Sequence, residues 1–137
     1  MRLVADANVL LSAVLGGRAN LVLRHPLVEQ ILTTQMTLSE VGEYAAQLAR
    51  KKRLALDIVL MAAAALPLTL VDQAAYSASL PDAKRRIGRR DPDDVEILAL
   101  ALHTGLPLWS NDNDFMDAGV EWYTTAELLR RLGVGNN

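Results

Sequence analysis

The sequence predicts an α/β protein built on a mainly parallel sheet with helices on both faces. Two observations predict it. Short apolar runs suited to strands alternate along the chain with longer runs of helical spacing, the pattern of strands joined by helical crossovers. Hydrophobic residues make up 51% of the chain against 22% charged and only 4% aromatic, so the core must rest on Leu, Ala, Val and Ile.

The elements follow in order. Arg2–Ala5 is short, apolar and ends at Asp6, as a buried first strand would. Asn8–Leu15 reads as a helix closed by Gly16 and Gly17, and Ala19–Arg24 as a second helical run stopped by Pro26. Glu29–Thr33 is the next strand. Thr37–Lys52 is an amphipathic helix, with Leu38, Val41, Tyr44, Ala45 and Leu48 near helical spacing. Leu54–Leu66 is a helical stretch stopped by Pro67, and its Ile58–Leu66 portion reads as a buried helix. Leu68–Val71 is a strand and Asp72–Leu80 is helical. Pro81–Arg90, rich in Pro, Gly and bases, reads as a loop. Asp93–Thr104 is a helix ending at Gly105, Leu106–Ser110 a strand, Glu121–Tyr123 a short strand, and Thr125–Leu132 a last helix ending at Gly133.

A chain of 137 residues suits one domain, residues 1–137, able to bury roughly two thirds of its unfolded surface. No apolar run reaches the roughly 20 residues that span a bilayer, and an acid interrupts the N-terminal apolar run at once, which argues against a signal peptide. The expected compartment is therefore the cytoplasm, with no membrane partner. Cysteine is absent, which excludes disulfides, thiolate catalysis and zinc–thiolate sites. The formal net charge of −2 lacks the basic excess common in nucleic-acid binders, but the charges are segregated. Bases cluster at Arg50–Arg53 and at Lys84, Arg85, Arg86, Arg89 and Arg90; acids cluster at Asp91–Glu96 and Asp112–Asp117.

Three of four candidate acids stand where a parallel sheet builds its sites, beyond the carboxyl ends of its strands. Asp6 closes the first strand, Asp112 follows the Leu106–Ser110 strand by two residues, Asp94 opens the helix before that strand, and Glu40 falls in the first turn of the Thr37–Lys52 helix. Carboxylates gathered in one crevice repel unless a cation neutralises them, and oxygen ligands favour Mg²⁺ or Mn²⁺. Such ions acidify water and clamp phosphates. Each acid also has a structural reading. Glu40 completes S/T-x-x-E with Thr37, a capping box. Asp91-Pro92-Asp93-Asp94 fits a capped helix start, and Asp112 fits turn chemistry. Asp6, against an apolar strand, needs a partner in any reading.

In order along the chain, Asp6-Ala7-Asn8-Val9-Leu10-Leu11-Ser12 with Glu40 in the next long helix, Arg90–Ala101, and Leu108-Trp109-Ser110-Asn111-Asp112-Asn113-Asp114-Phe115 resemble the successive motifs of the PIN domain family. The resemblance covers nearly the whole chain. It implies a three-layer α/β/α fold and divalent-metal-dependent cleavage of RNA. In small members of the VapC-like toxin ribonuclease type it also implies a cognate antitoxin and a homodimer. It puts Asp6, Glu40, Asp94 and Asp112 in the catalytic positions, with Asp6, Asp94 and Asp112 holding the metal and Asn8, Ser110 and Asp114 as accessory residues. Asp91, Asp93 and Glu96 crowd the third position, while Glu43 and Asp114 neighbour the second and fourth.

The expected RNA contacts are Lys84, Arg85, Arg86, Arg89 and Arg90, in a loop leading into the acids; Arg50–Arg53 reads as a solvated helix end. His25 and His103 read as isolated, and Tyr44, Trp109, Phe115, Trp122 and Tyr123 as packing residues. No phosphate-binding glycine loop or serine-hydrolase signature occurs. Two readings compete with a toxin-type endoribonuclease: a PIN-fold RNA-binding or scaffold protein with little activity, and a phosphatase, which would need D-x-D-x-T where Asn8 interrupts it.

Overall fold

The computed structural model describes residues 1–134; the last three residues of the 1–137 domain assignment lie outside the described residues. Five strands, β1 (Arg2–Ala5), β2 (Gln30–Thr34), β3 (Thr69–Val71), β4 (Leu108–Trp109) and β5 (Trp122–Tyr123), form one sheet in the order β3-β2-β1-β4-β5. All pairings are parallel, with Leu3 opposite Ile31, Val4 opposite Leu108, and Leu108 opposite Trp122. The helices are α1 (Ala7–Val14), α2 (Ala19–Leu23), α3 (Gln35–Lys51), α4 (Leu56–Ala64), α5 (Gln73–Tyr76), α6 (Leu80–Ile87), α7 (Val95–Thr104) and α8 (Thr125–Arg131).

The sheet is buried on both faces, which is why its strands read as continuous apolar runs. Successive residues alternate sides. Leu3, Ala5 and Trp109 pack with α1, α2 and α8 through Val9, Leu10, Val22 and Leu128. Val4, Leu32 and Leu108 pack the other way, against α6 and α7 through Ala83, Ile87, Ile97 and Leu100. These are the three α/β/α layers. From β1 the chain moves to β2 on one side and later returns to β4 on the other, so the β1–β4 junction is the switch point where such sheets open a crevice.

Three expectations are corrected. The Pro81–Arg90 loop is helical through Ile87: Pro81 stands in the first turn of α6, where its missing N–H costs nothing, with Asp82 in that turn and Lys84, Arg85 and Arg86 in the last, as the helix dipole favours. The Ile58–Leu66 stretch is not a buried helix. In α4 only Val59 is buried, while Ile58 is 65% and Met61 70% exposed, because α4 rests on α1 and α3 rather than on the sheet. The Thr37 capping box does not form, because β2 runs directly into α3. Thr34 is the cap, its Oγ1 accepting from Thr37 N at 3.0 Å, so the helix starts at Gln35 and Glu40 moves out of its first turn.

Candidate active site

The crevice at the switch point is assembled from the ends of β1 and β4. Asp6 N donates to the Trp109 carbonyl at 3.0 Å, extending the ladder one residue and setting Asp6 beside Ser110. Asp6 is buried, and both its oxygens are engaged. Oδ1 accepts from Ala7 N at 2.8 Å; Oδ2 accepts from Ser110 Oγ at 2.8 Å and Asn8 Nδ2 at 3.1 Å. Asn8 also accepts from Asn111 N at 3.0 Å, and Ser110 Oγ accepts from Asp112 N at 3.1 Å. Trp122 Nε1 holds the Ser110 carbonyl at 2.9 Å, and the Asp112 carboxylate accepts from Asp114 N at 2.9 Å. Asn8 and Ser110 thus tie the first strand's acid to the loop that carries Asp112 and Asp114. The turn chemistry read at Asp112 does occur, and still leaves its carboxylate facing the crevice.

Asp94 ends a 3₁₀ turn, Pro92–Asp94, and precedes α7 with no capping bond from its side chain; Asp91 likewise caps nothing. The capping reading of these two acids therefore has no hydrogen bond behind it. Asp6, Glu40, Asp94 and Asp112, with Ala7, Asn8, Leu11 and Tyr44, line a cleft of about 300 Å³. On its flank, one carboxylate oxygen from each of Asp91, Asp94, Asp112 and Asp114 lies within 4.8 Å of all the others. Asp94 and Asp112 belong to both groups. Asp91 therefore stands beside Asp94. Asp93 and Glu43 stay exposed, their charges bearing on Glu40. Glu96 turns away, accepting from Gln73 Nε2 and the Tyr76 hydroxyl.

Among the described residues, no basic side chain lines the cleft. Burial, then the charges of Asp6, Asp91, Asp112 and Glu40, push the Asp94 carboxyl up to about 8. Burial, then Asp93, Asp6 and Glu43, push Glu40 to about 7. The hydrogen bond with Asp114 leads the causes that raise Asp91 to about 6, and burial chiefly raises Asp6. Oxygen donors alone, converging and mutually repelling, fit a hard divalent cation. Asp91, Asp94, Asp112 and Asp114 are the closest-set donors for it; Asp6 commits both its oxygens to the frame around them.

The five bases separate. Arg86 forks onto Asp82, with Nε–Oδ1 and Nη2–Oδ2 both 3.1 Å, and donates from Nη1 to the Ala118 carbonyl at 2.7 Å; Arg85 meets Asp82 at 3.1 Å. Gly88 serves close approach, since a Cβ there would sit 2.6 Å from the Lys84 carbonyl oxygen. Arg90 reaches the Asp114 carbonyl at 3.3 Å, beside the acids, and Lys84 and Arg89 are exposed. Arg50 and Lys51 close α3 as an exposed helix end. His25 accepts from Leu27 N within its turn, and Trp109 and Phe115 are fully buried. Tyr44 is not a packing residue: it is 46% exposed on the cleft wall. Its periodicity in α3 suggested the core, but only the tertiary position of that helix face reveals the cleft.

The fold recurs in solved structures. A chain of VapBC2 from Rickettsia felis, a complex bound to a DNA fragment from its promoter, superposes with a TM-score of 0.67 at 15% identity over 90% of this chain and 98% of that one. PAE2754 from Pyrobaculum aerophilum superposes at 0.74 with 17% identity, over 98% and 91%. FitAcB from Neisseria gonorrhoeae gives 0.58 and 15%, over 90% and 98%. No curated protein matches in sequence. A family model for the PIN domain, whose members are nucleases that typically use divalent metals, matches residues 4–133, and the chain belongs to the PIN domain family.

Proposed function

We propose that this protein is a divalent-metal-dependent endoribonuclease, the toxin of a toxin–antitoxin pair. The observation that carries the reading is the convergence of Asp94 and Asp112 with Asp91 and Asp114 on one flank and Asp6 and Glu40 on the other, with no base among the described residues lining the cleft. Mg²⁺ or Mn²⁺ bound there would supply acidified water and neutralise phosphate charge during in-line displacement. The chain's own residues do the rest. Asp91, Asp94, Asp112 and Asp114 hold the cation. Asp6, locked by Ser110 and Asn8, fixes the β1 and β4 ends against each other and adds charge to the cleft. Glu40, half-buried, adds its carboxyl to the cleft lining that would face the phosphate.

RNA contacts are proposed for the Lys84–Arg90 segment. Arg90 beside Asp114, with exposed Lys84 and Arg89, supports them; Arg85 and Arg86 are already paired with Asp82. An antitoxin partner and a homodimer belong to the same reading. The VapBC2 and FitAcB likenesses and the uncovered apolar face of α4 support association with protein. The compartment proposed is the cytoplasm, where its RNA substrate would be.

The test is cleavage of single-stranded RNA by the purified chain with Mg²⁺ or Mn²⁺, with excess chelator, and after Asp6→Asn. Cleavage that requires metal and disappears in the variant is expected. No cleavage by the wild type would favour the RNA-binding or scaffold reading, and cleavage that survives excess chelator would contradict the metal-dependent one.

A further inference from the structure

The acidic cleft has a second chemistry. Two helices each contribute one polar and one apolar residue to its walls. On α1, Asn8 lies at the strand end and Leu11 three residues on; on α3, Glu40 faces the acids and Tyr44 follows four residues later. Residues three and four apart share one helix face, so each helix presents a polar group and then an apolar one to the same cleft. A helical side chain leans toward the turn before it, which lays the Tyr44 ring over the turn that carries Glu40. The cleft lining thereby sets Ala7, Leu11 and Tyr44 among the carboxylates.

Tyr44 is out of place as a structural residue. Trp109 and Phe115 are 0% exposed and Tyr76 2%, each packed in the core. Tyr44 is 46% exposed. An aromatic face left open beside a phosphate-handling site is the platform on which an unpaired base stacks, since every base has a π-face. A duplex base is stacked already and cannot lie on it without leaving its neighbours.

We propose that Tyr44, with Leu11 in the same cleft lining, is the stacking platform for one unpaired nucleobase next to the phosphate held at the acids. The proposal rests on the ribonuclease reading of the same cleft. Tyr44 is a binding and positioning residue, acting on the strand's register rather than on the reacting atoms.

The test uses the full chain with Mn²⁺ and short single-stranded oligonucleotides carrying one abasic position at each site around the cleavage point. Tyr44→Ala should raise KM about tenfold, the loss of one stacked base, with kcat little changed, and Tyr44→Phe should restore it. One abasic position should cost the wild type a similar factor and cost Tyr44→Ala nothing further. An unchanged KM in Tyr44→Ala, or losses from variant and abasic site that multiply, would overturn the platform. Binding of an uncleavable 2′-O-methyl strand by fluorescence anisotropy separates the two readings. If the wild type cleaves nothing but binds that strand about tenfold more tightly than Tyr44→Ala, the ribonuclease reading fails and the platform stands. Equal binding by both, or none, would overturn the platform.

Discussion

Asp6 and Asp94 show how differently two carboxylates can be used in one crevice. Asp6 accepts three hydrogen bonds within its own strand–helix junction and from the neighbouring loop, whereas no capping bond engages the side chain of Asp94. The consequence for Asn substitution is opposite in sign. Asp94→Asn removes a half-buried charge and its repulsion by the neighbouring acids, and should raise the thermal midpoint by a few degrees in chelator at pH 8. Asp6→Asn places an NH₂ where Ala7 N or the Ser110 and Asn8 donors already point, and should lower it. Thermal denaturation of both variants in chelator checks this pair of signs. Asp6 was legible from its place after an apolar strand, and Asp112 and Asp94 from the motif order. The place of Asp91 beside Asp94 and Asp112 was not, because four acids within six residues cannot be ranked without knowing which way the 3₁₀ turn points each one.

At the scale of elements, the strands were the most legible part, since burial on both faces leaves an apolar run whatever the neighbours are. Helix α6 was hidden by Pro81, which breaks a helix in its interior but not in its first turn. The exposure of α4 could not be read from an apolar stretch that looks the same whether core or partner covers it. The α6 correction also changes which bases are free for RNA. Replacing Arg89 and Arg90 with Ala should lower the log–log salt slope of single-stranded RNA binding by about 0.7 for each phosphate no longer neutralised. Arg86→Ala should instead lower stability modestly, by removing the Asp82 fork and the Ala118 bond, and leave the slope alone. Binding over a salt series and denaturant unfolding distinguish the two, and a slope unmoved by the Arg89 and Arg90 changes would leave those bases as charge balance.

For the molecule as a whole, the crevice sets a pH dependence. Glu40 and Asp94 have folded-state values of about 7 and about 8, above their ordinary 4.5 and 3.8. The folded state then binds more protons than the unfolded one. The stability these groups contribute is full below pH 4 and is lost as pH rises through about 8. Without metal the melting temperature should fall across that window. Millimolar Mg²⁺ or Mn²⁺ should reduce the fall, because an ion binding only the native state adds roughly 2.7 kcal/mol at a hundredfold excess over its dissociation constant. A melting curve series in chelator and in metal checks it; a metal-free midpoint that rises between pH 5 and 8 would show that burial and repulsion of these carboxyls do not govern the site.

The central claim is that these carboxylates hold a divalent cation, and counting that cation tests it most directly. Mn²⁺ titrated into the purified chain at pH 7.5, with free Mn²⁺ followed by electron paramagnetic resonance, should show saturable uptake. Asp94→Asn, which removes a donor shared by both acidic groups, should weaken the uptake at least tenfold. No uptake by the wild type up to millimolar Mn²⁺, or equal uptake by wild type and Asp94→Asn, would contradict the account.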